Sequence, residues 1–152
     1  MLLKNTPIHY LVKKKVTTWL IRWRLLYKPT GAVVIDTNSV ASWKTAKEKL
    51  IQHLLNESSV FMFAEGSRRG EDNIGQFSSG LAQVAQESGA KVCALALKNT
   101  YKLSSRQPIV CAGETLSIGP RENIKEATAR IKSSVLNAYN EILAYENNTP
   151  ER

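Results

Sequence analysis

The residues with the most chemical potential form one run, Glu65-Gly66-Ser67-Arg68-Arg69-Gly70, directly after the short apolar stretch Val60 to Phe63. Guanidinium groups grip phosphate bidentately, and glycines let a backbone come close to a ligand. Two adjacent arginines between glycines, Arg68 and Arg69, suggest an anion site. Glu65 repels a phosphate, so its expected role is to hold the loop by accepting backbone or arginine hydrogen bonds. Arg69 reads better as a solvated charge, and the whole run can also be read as a surface turn. For proton transfer there are two histidines. His53 lacks an acidic partner at a recognisable spacing. His53 reads as an ordinary, partly exposed residue late in a helix. Gly70 and Gly75 have the outer spacing of a nucleotide-binding loop, but Gln76-Phe77 stand where Lys-Ser/Thr is required, which excludes that reading. Cys93 and Cys111 lie in apolar runs without Cys or His at metal-ligand spacing. They are expected to be buried free thiols, suited to a reducing compartment, and no metal site is expected.

These residues need a scaffold. A chain of 152 residues is expected to form one domain with a real core. Hydrophobic content of 43% and charged content of 22% are ordinary. The net charge of +8 is unevenly placed: Lys4, Lys13, Lys14, Lys15, Arg22, Arg24 and Lys28 all precede the first acidic residue, Asp36. Such asymmetry points to a polyanionic partner, whether anionic membrane, phosphorylated substrate or nucleic acid. Nucleic acid is disfavoured because no recognisable motif accompanies the charge. No apolar run approaches the roughly 18 to 20 residues of a spanning helix, and the amino terminus lacks a signal-peptide pattern. The expected location is cytoplasmic, peripheral to the inner face of a membrane.

Short apolar runs bounded by turn residues alternate with helical periodicity along the chain. Strands are expected at Pro7 to Val12, within Gly31 to Thr37, at Val60 to Phe63, Lys91 to Leu97 and Pro108 to Ala112. Helices are expected at Val16 to Tyr27, Ser42 to Leu55 and Leu81 to Glu87. A closing helix from Glu122 to Tyr145 should turn Ile124, Ala127, Ile131, Val135, Leu136, Tyr139 and Leu143 toward the core. The Val16 to Tyr27 helix carries Trp19 and Trp23 on its apolar stripe. It either lies in an anionic membrane interface or packs into the core. The expected fold class is α/β with a mainly parallel sheet flanked by helices. Within it, residues 7–31 form a basic strand and amphipathic helix, 32–145 the α/β core, and 146–152 a fraying tail.

In such sheets ligands sit beyond the carboxyl ends of the strands, where Glu65 to Gly70 would lie. Phe63-Ala64-Glu65-Gly66-Ser67-Arg68 resembles the Phe-Pro-Glu-Gly-Thr-Arg block of the glycerol-phosphate and lysophosphatidic acid acyltransferases, with alanine for proline and serine for threonine. Gly31 to Thr37 resembles the family's Gly-x-x-Phe-Ile-Asp-Arg block, with Thr37 in place of an arginine that helps hold the substrate phosphate. Asp36 and Thr37 are therefore candidate acceptor-site residues, although Asp36 reads equally as a turn or capping residue. Phe77-Ser78-Ser79-Gly80 resembles the family's Phe-Lys-x-Gly. Lys91 to Leu97 resembles its Pro-containing strand, and Gly113-Glu114-Thr115-Leu116 its Gly-Glu-Pro-Ile. Block order and spacing are kept from about residue 7 to the last helix.

The resemblance implies a glycerol-phosphate acyltransferase-like fold and a place in phospholipid biosynthesis. The activity implied is transfer of a fatty acyl group from acyl-CoA or acyl carrier protein to lysophosphatidic acid or a similar lysolipid. The thioester is a substrate, and no cofactor is implied. The partners implied are lysolipid, acyl thioester and an anionic membrane surface. The family takes the hydroxyl proton with a histidine oriented by an aspartate five positions later. That His-x-x-x-x-Asp block would fall upstream of Pro7-Ile8-His9-Tyr10, and it is missing from this sequence. Three explanations stand in order: an amino-terminally truncated chain, a non-catalytic lipid- or membrane-binding homologue, or an unrelated base, conceivably His9.

Overall fold

The computed structural model describes residues 7–14, 31–66, 74–100 and 108–148. The chain divides into two compact units, Met1–Phe63 and Ala64–Arg152. The expected helix from Val16 to Tyr27 lies outside the described residues.

The first unit is built on three strands, β1 (Ile8–Lys13), β2 (Ala32–Ile35) and β3 (Ser59–Phe61), with one helix, α1 (Val40–Leu55). The sheet order is β2-β1-β3 and both pairings are parallel. Tyr10 is in register with Ala32 and Lys13 with Ile35, while Ile8 faces Ser59 across the other ladder. Parallel neighbours need a long crossover, which α1 supplies between β2 and β3. The apolar positions of α1 recur at helical spacing, so Ala46 and Leu50 are buried with Val33 and Ile35 of β2 as the core of this unit. The helix starts two residues before the expected Ser42, because Ser39 is its N-cap: Ser39 Oγ accepts from Ser42 N at 3.2 Å. It ends in a Schellman turn. Ser58 N–H donates to His53 O at 3.0 Å and Glu57 N–H to Leu54 O at 3.2 Å, with Glu57 in the left-handed region at φ 58°.

The second unit contains α2 (Gly80–Ser88), β4 (Val92–Lys98), β5 (Ile109–Leu116) and α3 (Ile124–Asn148). β4 and β5 pair antiparallel, Leu97 opposite Val110 and Leu95 opposite Ala112, with a register shift between Cys93 and Leu95. β5 runs beyond Ala112 through Gly113-Glu114-Thr115-Leu116, which therefore belong to the strand. α3 packs against this ribbon. One cluster gathers Ala82 and Ala85 of α2, Leu116 and Ile118, and Ala127 and Ile131 of α3; a second gathers Ala96, Ala138 and Ile142.

The buried stripe of α3 departs from expectation after Ile131. Ser134, Ala138 and Ile142 are buried, whereas Leu136 is exposed. The reason is close approach to β5. A Cβ on Gly113 would lie 2.7 Å from Ser134 O and 2.9 Å from Ser134 Oγ, so only small residues fit where strand and helix touch. Ser134 Oγ donates to Glu114 O at 3.2 Å, which removes the cost of burying a hydroxyl. α3 also runs past Tyr145 to Asn148. Glu146, expected in the fraying tail, pairs with Lys98 and accepts from Asn99 Nδ2 at 3.0 Å.

The cysteines also depart from expectation. Strand alternation buries Ala94 and Ala96 and turns Cys93, Leu95 and Leu97 outward, so Cys93 is exposed. Cys111 is half-buried. Its thiol donates to Glu141 Oε2 at 3.2 Å, and that hydrogen bond, with lesser desolvation, pushes the thiol above its ordinary range.

Candidate functional site

In the first unit the carboxyl edge of the sheet carries Asp36 and Thr37, immediately after β2. Every polar group of Asp36 is engaged, three in building the turn into α1 and one with Lys14. Its N–H donates to Ser42 Oγ at 2.8 Å and its carbonyl accepts from Ser39 N at 3.1 Å. Its Oδ1 accepts from Asn38 N at 3.1 Å, and Oδ2 accepts from Lys14 Nζ at 3.4 Å. The Asn38 N–H, and after it Lys14, hold the carboxyl below its ordinary range. Asp36 thus takes the turn role that its sequence context allowed, and Thr37 is exposed beside it.

The second unit opens with the loop that carries the glycine and arginine motif. Glu65 Oε2 accepts from Gly75 N at 2.9 Å, and Ser78 N donates to Ala64 O at 2.9 Å. These two bonds clasp the loop at its base. The carboxylate of Glu65 is spent on a backbone donor, as expected of a group that repels phosphate. Gly66 adopts φ +63°, a conformation that favours glycine, and no atom lies within 4 Å of where a Cβ would stand. Its neighbours Ser67 and Arg68, and Arg69 with them, lie outside the described residues. The chemical capacity of the clasp is to present the start of this motif from a fixed base.

The structure also brings together two residues that sequence reasoning kept apart. His9 and His53 stack with ring centroids 3.6 Å apart and planes inclined by 13°. His9 Nδ1 lies 3.0 Å from Gly31 O, the distance of a donated N–H bond to the carbonyl. The signal was topological. α1 returns from the carboxyl edge to the amino edge before β3 begins, so its last turn must arrive where β1 starts. This places both histidines at the edge opposite Asp36. His9 and Lys13 are four residues apart along β1, roughly 13 Å in a strand. Burial of His53, and secondarily the charge of His9, hold the His53 imidazole below its ordinary value. Among the described residues no group of three or more His, Cys, Asp or Glu is placed to hold a metal ion.

The Acyltransferase family model matches residues 1–98, well over half of the sequence. The chain belongs to the acyltransferase family. Its blocks from Gly31 to Thr37 and from Phe63 to Arg68 both fall inside the matched region. The chain is similar in structure to the 1-acyl-sn-glycerophosphate (LPA) acyltransferase PlsC of Thermotoga maritima, with a TM-score of 0.63 at 14% identity. The superposition covers 95% of this chain and 58% of that protein, so the chain spans little more than half the length of that relative. At that identity the likeness shows the fold. No curated protein matches the sequence. Among the described residues of the chain, no helix is long and apolar enough to cross a membrane.

Proposed function

We propose that this chain supplies the acceptor-binding part of an acyltransferase of phospholipid biosynthesis. The acceptor is lysophosphatidic acid or a similar lysolipid, and the donor is a fatty acyl thioester of coenzyme A or acyl carrier protein. The observation that carries the reading is the clasped loop, in which Glu65 accepts from Gly75 N–H and Gly66 stands in a left-handed conformation at the head of Ser67-Arg68. The family membership supports the acyl-transfer chemistry, and the Thermotoga maritima protein's own description supports the acceptor class.

In this reading Arg68 pairs with the acceptor phosphate and Ser67 donates to it, while Gly66 lets the backbone approach. The reaction joins the lysolipid hydroxyl oxygen to the acyl carbonyl carbon, breaks the carbon–sulfur bond and delivers the hydroxyl proton to the departing thiolate. A base must take that proton during attack, and its loss costs about 10² to 10⁴ in rate. Neither histidine of the chain has the aspartate partner the family uses, and both sit at the amino edge. A second reading follows from that placement: a homologue that binds lipid without transferring an acyl group. The basic segment from Lys4 to Lys28 would hold either protein against an anionic membrane.

The deciding experiment is lysophosphatidic acid binding and acyl transfer by the purified chain, with Arg68→Ala in parallel. Binding weakened by the substitution about 10-fold or more is expected, as for loss of one charged hydrogen-bonding pair. Equal affinity of both proteins would overturn the acceptor-site reading. Turnover that depends on Arg68 would overturn the binding-only reading.

A further inference from the structure

The stacked histidines do not belong to the loop described above, and their surroundings are unusually restrictive. The His9 ring has two close neighbours. One is Gly31, at φ +68°, whose Cβ, were there one, would stand 2.4 Å from His9 Nδ1 and 2.9 Å from Cε1. The other is the His53 ring, its centroid 3.6 Å away. His53 is itself fixed through its backbone, because its carbonyl accepts the Ser58 N–H that closes the Schellman turn. The stack thus joins three elements of the first unit: the start of β1, the residue before β2 and the last turn of α1.

Charged groups around the pair are few among the described residues. From α1, Glu48 and Lys49 line a shallow cleft of about 280 Å³ together with His53, Thr45, Gln52 and Asn56. Glu57 lies just beyond the helix. β1 contributes His9 itself, flanked by Ile8 and Tyr10; the residue before β2 contributes the Gly31 carbonyl, and the lead into β3 contributes Ser58. Of these, His9 is the charge that acts on His53.

We propose that the His9–His53 stack is a proton-operated latch that fastens the last turn of α1 to the amino edge of the sheet. With both imidazoles neutral the rings stack and the latch is closed. One proton leaves a cation against a neutral ring. Two protons place like charges 3.6 Å apart, and the rings separate. The direction of the pH effect follows from linkage. His53 is held below its ordinary value of 6.5 in the folded chain, chiefly by burial, so opening favours proton uptake. The latch therefore contributes fully above pH 6.5 and progressively less as pH falls through the lowered His53 value.

The test is carried out on the full chain between pH 8 and 5, combining imidazole carbon–proton spectra with amide exchange at Leu54, Asn56 and Glu57. His53 is expected to titrate below 6.5, and His9→Gln is expected to raise that midpoint. After correction for intrinsic exchange, protection of the last turn of α1 should fall by up to about tenfold per pH unit for each proton taken up. His53→Phe keeps a ring to stack and removes the titrating group, so its protection should be independent of pH. A wild-type His53 midpoint at or above 6.5 would overturn the proposal, as would one that His9→Gln leaves unchanged. Protection that falls equally in wild type and His53→Phe would do the same. If His9→Gln fails to fold, the wild-type titration and His53→Phe still decide the matter.

Discussion

Replacing Gly31 by alanine tests the packing of the amino edge most directly. Three separate costs arise. A residue with a Cβ in the left-handed region loses about 1–2 kcal/mol. The new methyl carbon would also stand 2.4 Å from His9 Nδ1. Moving the imidazole aside disturbs its stack on His53, whose ring centroid lies 3.6 Å away. Forcing an extra carbon into a packed site costs about 1–3 kcal/mol, and losing the His9 to Gly31 carbonyl bond adds about 0.5–1.5 kcal/mol. The expected destabilisation of Gly31→Ala is therefore about 3–5 kcal/mol. On a His9→Ala background only the backbone cost survives, about 1–2 kcal/mol. A double-mutant cycle by urea unfolding should thus give a coupling of about 2 kcal/mol between the two sites. Coupling below about 0.5 kcal/mol, the range of independent sites, would refute the account of a wedged ring.

Three further outcomes can be checked on the same protein. Glu57→Gly, at φ 58° in the helix-ending turn, should stabilise the first unit by about 1 kcal/mol, read as a higher urea midpoint. Glu65→Ala removes the acceptor for Gly75 N–H and should weaken lysophosphatidic acid binding about 10-fold, whereas Glu65→Gln keeps an acceptor oxygen and should stay within about 3-fold of wild type. Glu122 is held below its ordinary value of 4.5 by the Gly119 N–H and then by Arg130. Its contribution is full above pH 4.5 and lost as pH falls through the lowered value, so the stability gap between wild type and Glu122→Gln should shrink from pH 6 to pH 3.

The features readable from sequence were those fixed by local rules. Apolar runs bounded by turns located the five strands of the described residues to within a few residues, and helical periodicity located α1. Glu65 was assigned to the loop's own hydrogen bonding by charge alone, since a carboxylate is a poor phosphate ligand, and the Gly75 N–H is the partner it finds. What escaped depended on contacts between distant segments. The α3 stripe rotated onto Ser134 and Ala138 because Gly113 opened a place for small residues, and neither segment announces the other. Cys93 was expected to be buried from the apolarity of its run, yet strand alternation decides the face and Cys93 falls on the outer one. The histidine stack required knowing that two strands flank β1 and that α1 returns to its amino end.

That return also bears on where a proton acceptor for acyl transfer can lie. His9 was one of three explanations for the absence of a His-x-x-x-x-Asp pair, and the sheet argues against it. Ligands of parallel α/β sheets bind beyond the carboxyl ends of the strands. His9 stands at the opposite end, four residues before Lys13 along β1, about 13 Å away at strand rise. A general base works at hydrogen-bond reach of the proton it takes, about 2.6–3.2 Å or through one water. Its Nδ1 is moreover held at the Gly31 carbonyl, and its ring faces His53. His9→Gln at pH 8 should therefore leave lysophosphatidic acid binding within about 2-fold of wild type, and it should leave any acyl transfer the chain performs equally unaffected, because His9 stands at the amino edge of its own sheet. A loss of transfer by about 10² or more in a folded His9→Gln protein would place the base at the amino edge after all. The reacting groups would then have to be sought around Gly31 and His53 and not around the Glu65 loop.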